Sequence, residues 1–212
     1  MSADDATLAE LLALGAATVG ECGAGRMHRR VAAVWSGAGL AGPAVPVTCT
    51  PGDNLAIHVA LTVAPAGSVL CVDVGDERDL GYWGEVLTTA AEARGVAGLV
   101  IDGCVRDVDA LEARGFPVFS TGIALTGASK GNPGAVGAPA SVGDVTVRMG
   151  DVVVADRDGV AIVPFDRLDE VVAASAARAE KERTMFAELR GGGTTVGLLG
   201  LDPTPIRLDG ID

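Results

Sequence analysis

From residue 44 to residue 120 the chain alternates short apolar runs with helix-like stretches, and that alternation limits the fold more than any other feature. "AVPVTCT" (44–50), "VLCVDV" (69–74), 97–102 and "PVFS" (117–120) read as strands. Between them lie "NLAIHVALTVA" (54–64), a helix from about Glu85 to Arg94, and a short helix around 107–114. Strands separated by helices in this way predict an α/β architecture with parallel strands in the middle of the chain. The punctuation agrees: Pro51-Gly52-Asp53 and "PAGS" make turns, and Gly95 and Gly115 stop helices. In the helix after Gly84, Val86, Leu87, Ala90 and Ala91 form an apolar stripe.

The flanks have a different texture. Thr7-x-x-Glu10 and Thr18-x-x-Glu21 resemble capping boxes that open short helices near the start. "GASKGNPGAVGAPA" (127–140) reads as a glycine-rich loop. "DVTVRMGDVVVADRDGVAIVP" (144–164) predicts antiparallel strands joined by "MGD" and "DRDG" turns. A charged, alanine-rich helix is expected from Asp166 to about Arg190, followed by a Gly-Pro-rich tail. With no internal repeat and no long linker, one domain is expected over 1–212.

Composition narrows the function. The chain has 212 residues, 49% of them apolar, enough for a substantial core. No apolar run reaches ~18 residues, so no membrane span is expected. The start, "MSADDATLAELLALG", is acidic and lacks the basic opening of a secretory signal, which makes a cytoplasmic protein the expectation. A net charge of −12 argues against nucleic-acid binding, and the short "RMHRR" run (26–30) reads as a solvated turn. Cys22, Cys49, Cys71 and Cys104 are well separated and are expected to be reduced thiols rather than zinc ligands. There are two histidines and two lysines. His58 lies in an apolar helical stretch and reads as a packed core residue. Lys181 falls in a charged helix, and Lys130, among glycines, suits an anion better than a Schiff base. The chemistry is left to carboxylates, arginines, backbone amides and hard metal ions.

"WGEVLTTAAEARGVAGLVIDGCVRD" (83–107) holds the candidates. The helix opening near Gly84 presents unpaired amides from about Glu85 to Leu87, which attract anions. Arg106 adds a planar fork suited to a carboxylate. Asp107 and Glu85 add hard oxygens of the kind that hold Mg²⁺ or Mn²⁺, directly or through water. The pattern fits a small carboxylate beside a divalent cation, and it equally fits a capped strand-to-helix turn with surface charge pairs.

"RGVAGLVIDGCVRD", preceded by "WGEVL" and followed by "GFPVFSTGIALTGASKGNPG" and "GDVVVADRDGVAIVP", resembles the class II 4-hydroxy-4-methyl-2-oxoglutarate / 4-carboxy-4-hydroxy-2-oxoadipate aldolases. It is equally similar to their relatives named as regulators of ribonuclease E activity, over about Pro51 to Arg190. The aldolases carry an acidic residue, twenty intervening residues, then Arg-Asp. Here Glu85 stands where that pattern has Asp, with twenty residues between it and Arg106. The resemblance implies that Arg106 grips the oxo-acid end of the substrate and that Asp107 is the side-chain metal ligand. It implies that Glu85 holds metal-bound water and that the amides of Gly84, Glu85, Val86 and Leu87 receive the carboxylate. It also implies a swivelling β/β/α fold and a homotrimer or hexamer. It further implies that a glutamate of the neighbouring subunit's C-terminal helix completes each site, mapped by spacing to Glu182, with Glu180 as the fallback. The implied reaction releases pyruvate from a 2-oxo acid through an enolate, with oxaloacetate decarboxylation as a side activity. A non-catalytic regulator of ribonuclease E, or a related lyase acting on another 2-oxo acid, is the alternative.

Overall fold

The computed structural model describes residues 3–207 and 209. The expected 1–212 domain includes Met1, Ser2, Leu208 and 210–212, which lie outside the described residues. Two helices, α1 (Asp5–Leu14) and α2 (Ala16–Glu21), lead into the short strands β1 (Gly25–Arg26) and β2 (Ala32–Ala33). The alternating stretch follows as β3 (Leu40–Cys49), α3 (Leu55–Val63), β4 (Val69–Asp73), α4 (Glu85–Ala93) and β5 (Gly98–Ile101). Next come β6 (Cys104–Val105), α5 (Val108–Arg114), β7 (Val118–Ser120) and β8 (Gly122–Ile123). The last strands are β9 (Gly134–Val136), β10 (Ala140–Val142), β11 (Val145–Val147), β12 (Val152–Asp156) and β13 (Gly159–Val163). Helices α6 (Leu168–Arg190) and α7 (Thr195–Leu199) end the chain.

One mixed, curled sheet runs in the order β1-β13-β12-β3-β4-β5-β7-β2, with β9 also on β3. Strands β3, β4, β5 and β7 are parallel, and β12, β13 and β1 are antiparallel. β3 belongs to both halves. Its Leu40–Pro43 segment pairs antiparallel with β12, and its Ala44–Thr48 segment pairs parallel with β4. Pro43, which has no N–H to donate, stands at the changeover. This is the expected α/β fold, parallel in the middle and antiparallel toward the C-terminus.

Successive strand residues face opposite sides, so each central strand feeds two cores. Leu70, Val72, Leu99 and Ile101 pack against α3, α4 and α5 through Ile57, Leu61, Leu87 and Leu111. Val69, Cys71, Val100 and Phe119 face the inside of the curl with Leu40, Val153 and Ile162. α1, α2 and α6 cover Val152, Val154, Ala161 and Val163 with Leu11, Val19 and Val171. Burial on both faces explains why "VLCVDV" is a continuous apolar run rather than an alternating one.

Several local expectations are corrected. α1 is capped by Asp4, whose side chain accepts from the Thr7 amide at 2.8 Å, so Thr7 is already inside the helix. α2 starts at Ala16, whose amide donates to Asp156 Oδ2 at 2.8 Å, and Thr18 is interior. On α4, Leu87 and Ala91 are buried with Thr88, while Val86 and Ala90 face outward. The glycine-rich loop contributes β9, and the tail contains α7. All four cysteines are free, and burial pushes the Cys49 thiol up to about 12. Among the described residues no helix is long and apolar enough to cross a membrane.

Candidate functional site

The loops that follow β3, β4, β5 and β7 meet beyond the C-terminal ends of the parallel strands, where open α/β sheets bind ligands. They enclose a cavity of about 170 Å³. Asn54 and His58 come from the first loop and α3, Gly81 to Gly84 from the second, Arg106 and Asp107 from the third, and Ala128 and Lys130 from the fourth. Backbone pairing fixes these loops to one another: Arg106 N donates to Trp83 O at 2.9 Å, and Gly81 N to Thr126 O at 2.7 Å. Trp83 is buried, stacks on Phe116 at 6.0 Å between ring centroids, and donates from Nε1 to Thr88 at 2.7 Å.

Glycines make room for Arg106. A Cβ at Gly81 would lie 3.2 Å from Arg106 Cδ, and one at Gly127 would lie 3.2 Å from Arg106 Nη1. A Cβ at Gly84 would run into Asp107 Oδ2 and approach Arg106 Cγ to 3.1 Å. The Arg106 side chain is 45% exposed in the cavity wall, with its Nε 3.9 Å from Asp107 Oδ2.

Asp107 occupies left-handed backbone (φ 59°, ψ 37°) at the start of α5, a costly conformation for a residue with a side chain. Its carboxylate does not cap α5. Instead Oδ2 accepts from the Glu85 amide at 2.9 Å, tying the first turn of α4 to the Arg-Asp pair. Gly84 has no side chain to cap α4 and Asp107 takes only the Glu85 amide, so the rest of the N-terminal turn, with Gly84, Val86 and Leu87 in the cavity wall, keeps amide donors and the positive dipole end for an anion.

The Glu85 side chain goes elsewhere. Its carboxylate pairs with Arg114 at 2.9 Å, Arg114 also holds Glu92 at 2.8 Å, and Glu85 is not part of the cavity wall. Gly84, Val86, Leu87, Arg106 and Asp107 are thus brought together, with Glu85 joined to them only through its backbone.

A family model described as RraA-like, Aldolase/RraA, matches residues 7–162. The chain belongs to the RraA-like family. One relative, from Halalkalibacterium halodurans and named "Putative 4-hydroxy-4-methyl-2-oxoglutarate aldolase", is 35% identical over 133 residues, covering 63% of each chain. The match therefore spans less than two thirds of that relative's length. Among solved structures, an uncharacterized protein from Pseudomonas syringae pv. tomato is similar with TM-score 0.79 and 27% identity, covering 92% of this chain and 96% of that one. Streptomyces coelicolor RraAS2, described as an unusual member of the RNase ES inhibitor RraA protein family, has TM-score 0.76 and 28% identity over 89% of this chain and 98% of its own. The fold of this RraA-like chain is theirs.

Two side chains of the RraA-like cavity, Asn54 and His58, escape sequence reasoning, and a third, Lys130, is foreseen only as a group suited to an anion. Asn54 is buried, and its Nδ2 donates to Tyr82 O at 2.8 Å. His58, expected as a core residue, stands in the cavity wall one turn along α3. Burial, with the Lys130 ammonium adding to it, holds the His58 imidazole below its ordinary pKa. Lys130 is carried by a loop that Asp53 organises. Asp53 Oδ2 accepts from Ser129 Oγ at 2.7 Å, Gly131 N at 2.6 Å and Asn132 N at 3.1 Å. Burial alone would raise the Asp53 carboxyl, but these bonds and the one from Leu55 hold it well below the usual range. The "PGDN" turn was the one available signal, since an acidic residue just ahead of a helix commonly collects backbone donors.

Asp102, at the end of β5, serves the framework. It accepts from Arg30 Nε at 2.9 Å, Arg78 Nε at 3.1 Å and Gly143 N at 3.2 Å. Arg30, expected in a solvated turn, is therefore fixed, and Met27 beside it is buried. Glu182 pairs with Arg178 at 3.0 Å, Arg178 also binds Glu21, and Glu180 pairs with Arg183 at 2.6 Å. Neither glutamate is part of the cavity wall in its own chain.

A divalent cation fits the donor set in one respect. Asp107 is the one carboxylate among the residues of the cavity wall, and the described residues hold no cluster of three or more metal-ligating side chains. Mg²⁺ suits such a site, because it keeps several waters and takes one or two carboxylates together with oxygens of the substrate.

Proposed function

We propose that the chain is a divalent-metal-dependent pyruvate aldolase. It would cleave 4-hydroxy-4-methyl-2-oxoglutarate or 4-carboxy-4-hydroxy-2-oxoadipate and decarboxylate oxaloacetate as a side activity. The observation that carries this is the junction of Arg106, Asp107 and the first turn of α4 in one small cavity. In this reading the substrate carboxylate lies on the amides of Val86 and Leu87, where the helix dipole favours negative charge. Arg106 holds the 2-oxo-acid end and stabilises the oxyanion that develops as the C3–C4 bond breaks. Mg²⁺ or Mn²⁺, held by Asp107, supplies Lewis acidity when bound. The enolate is then protonated to pyruvate.

The test is pyruvate release from a panel of 4-hydroxy-2-oxo acids and oxaloacetate, with Mg²⁺, with Mn²⁺ and with excess chelator. Release that is lost in chelator and restored by either metal is expected. Full activity in chelator, or a substrate adduct trapped by borohydride, overturns the metal-dependent reading.

A second reading rests on the likeness to RraAS2: a non-catalytic regulator that binds ribonuclease E. It predicts no pyruvate release from any member of the panel, together with dose-dependent inhibition of ribonuclease E. Release from a different 2-oxo acid alone would instead point to a related lyase.

A further inference from the structure

Three buried side-chain polar atoms lack a hydrogen-bond partner among the described residues: Asn54 Oδ1, His58 Nε2 and Ser175 Oγ. Ser175 lies on α6, but Asn54 and His58 stand together in the wall of the Arg106 cavity, four residues apart at the start of α3. Buried polar groups are almost always paired, so two orphans in one wall call for a partner that the chain does not supply. Asn54 is 4% exposed, and its amide is oriented by the 2.8 Å bond from Nδ2 to Tyr82 O, which leaves Oδ1 as a fixed acceptor.

The chemistry of that partner follows. Asn54 Oδ1 can only accept, so the missing group must carry O–H or N–H. A carboxylate is excluded at this point, because it would set lone pair against lone pair. An ammonium is disfavoured, since Lys130 and Arg106 already bring positive charge to the same cavity. A neutral hydroxyl satisfies both orphans at once: it donates to Asn54 Oδ1 and accepts from His58 Nε2–H. Burial holds the His58 imidazole below its ordinary pKa, and the ring donates here as its Nε2–H form.

We propose that Asn54 and His58 form a hydroxyl-binding subsite that receives the C4 hydroxyl of the substrate and selects hydroxylated over non-hydroxylated 2-oxo acids. The assignment to C4 rests on the aldolase reading above. The hydroxyl specificity rests on the two orphaned atoms. As the C3–C4 bond breaks, its electron pair passes to the enolate, the C4–OH proton passes to water in the cavity, and the C4 oxygen becomes a carbonyl that still accepts from His58.

His58→Phe removes the ring nitrogens and keeps the volume, and His58→Gln restores an N–H near the Nε2 position. For His58→Phe, kcat/KM for hydroxy-acid cleavage is expected to fall on the order of 10- to 100-fold, the usual loss for one buried hydrogen bond. Oxaloacetate carries a carboxylate and no hydroxyl at C4, so its decarboxylation should fall much less than hydroxy-acid cleavage, and His58→Gln should recover part of the cleavage. Thermal stability of His58→Phe should be equal to or above wild type, because Nε2 has no partner to lose. Equal loss of both activities, or no loss of cleavage in a folded variant, overturns the subsite. If the wild type turns over neither compound, the aldolase reading fails and calorimetry decides the subsite by itself. Tighter binding of 4-hydroxy-2-oxoglutarate than of 2-oxoglutarate, with the difference erased by His58→Phe, supports it, and equal affinity refutes it.

Discussion

The backbone amide of Glu85 donates to Asp107 Oδ2 at 2.9 Å, while the Glu85 carboxylate turns away to Arg114, also at 2.9 Å. One residue therefore ties α4 to the Arg-Asp pair through its main chain and leaves its charge on the surface. An exposed pair of this kind contributes ~0–1 kcal/mol, so little holds the carboxylate in place. Glu85→Gln and Arg114→Gln should both change stability by less than about 1 kcal/mol. If the Glu85 carboxylate works in the site by holding water, Glu85→Gln lowers pyruvate release and Arg114→Gln leaves it unchanged or higher. Identical rates for the two variants would reduce Glu85 to a surface partner.

Arg106 and Asp107 should fail in different ways. Arg106→Lys keeps the charge but loses the two-pronged fork, so kcat/KM is expected to fall by orders of magnitude with an unchanged melting temperature. Asp107→Asn tolerates the same left-handed backbone and should chiefly weaken metal binding, seen as a raised Mg²⁺ requirement. Gly84→Ala adds a Cβ into the space of Asp107 Oδ2 and Arg106 Cγ, and is expected to impair both residues while leaving their chemistry in place. Near-wild-type rates in all three folded variants would return the Arg-Asp pair to a plain strand-to-helix turn.

The legibility of this site in the sequence follows from how its parts are spaced. Arg106 and Asp107 are adjacent, and Gly84 opens a helix whose N-terminus could be read from its own residues. Asn54 and His58 arrive together at the start of α3 and Lys130 on a separate loop, and only the parallel order β3-β4-β5-β7 brings them beside Arg106. His58 looked like core because "NLAIHVAL" is apolar throughout, yet only the first turn of that helix faces the cavity. The same limit applied to Glu85, whose partner Arg114 lies across α5, and to Asp102, whose arginines come from loops 72 and 24 residues away. The α/β alternation was legible because each element carries its own pattern. The β3 changeover was not, since nothing in "LAGPAVPVTC" says which neighbour each half will meet.

Asp102 gives the fold an acid-sensitive joint. Burial alone would raise its carboxyl, but the bonds and charges of Arg30 and Arg78 hold it below the ordinary carboxylate value. A carboxyl lowered in the folded state stabilises the protein above its unfolded pKa and loses that contribution as pH falls toward the folded one. Stability should therefore be flat from neutral pH to about 4 and decline below it. Asp102→Asn is expected to cost roughly 2–3 kcal/mol at pH 7, less than a fully buried pair because Arg30 and Arg78 keep some solvent. It should also flatten the acid limb. A variant as stable as wild type at pH 7 in chemical denaturation would show that the two arginines contribute nothing net.

The final prediction concerns a site shared between subunits. α6 is 23 residues long, and its buried residues are confined to its first third, at Leu168, Val171 and Ser175. Its later turns project charge. Glu180 and Glu182 lie about 200° apart at ~3.6 residues per turn, so only one of them can face a neighbour's cavity. Glu182 is held by Arg178 at 3.0 Å and is only half-buried, and that exposed pair adds ~0–1 kcal/mol, little enough to release in an assembly. Glu182→Ala is expected to cut pyruvate release severely without changing the oligomer seen by light scattering, and Glu180→Ala should have little effect. Mixing an inactive Arg106 variant with an inactive Glu182 variant should then restore activity. In a mixed ring, the intact Arg106 of one subunit can meet the intact Glu182 of the next. A monomer at assay concentration, or no rescue after subunit exchange has been verified by mass, would place the whole site within a single chain.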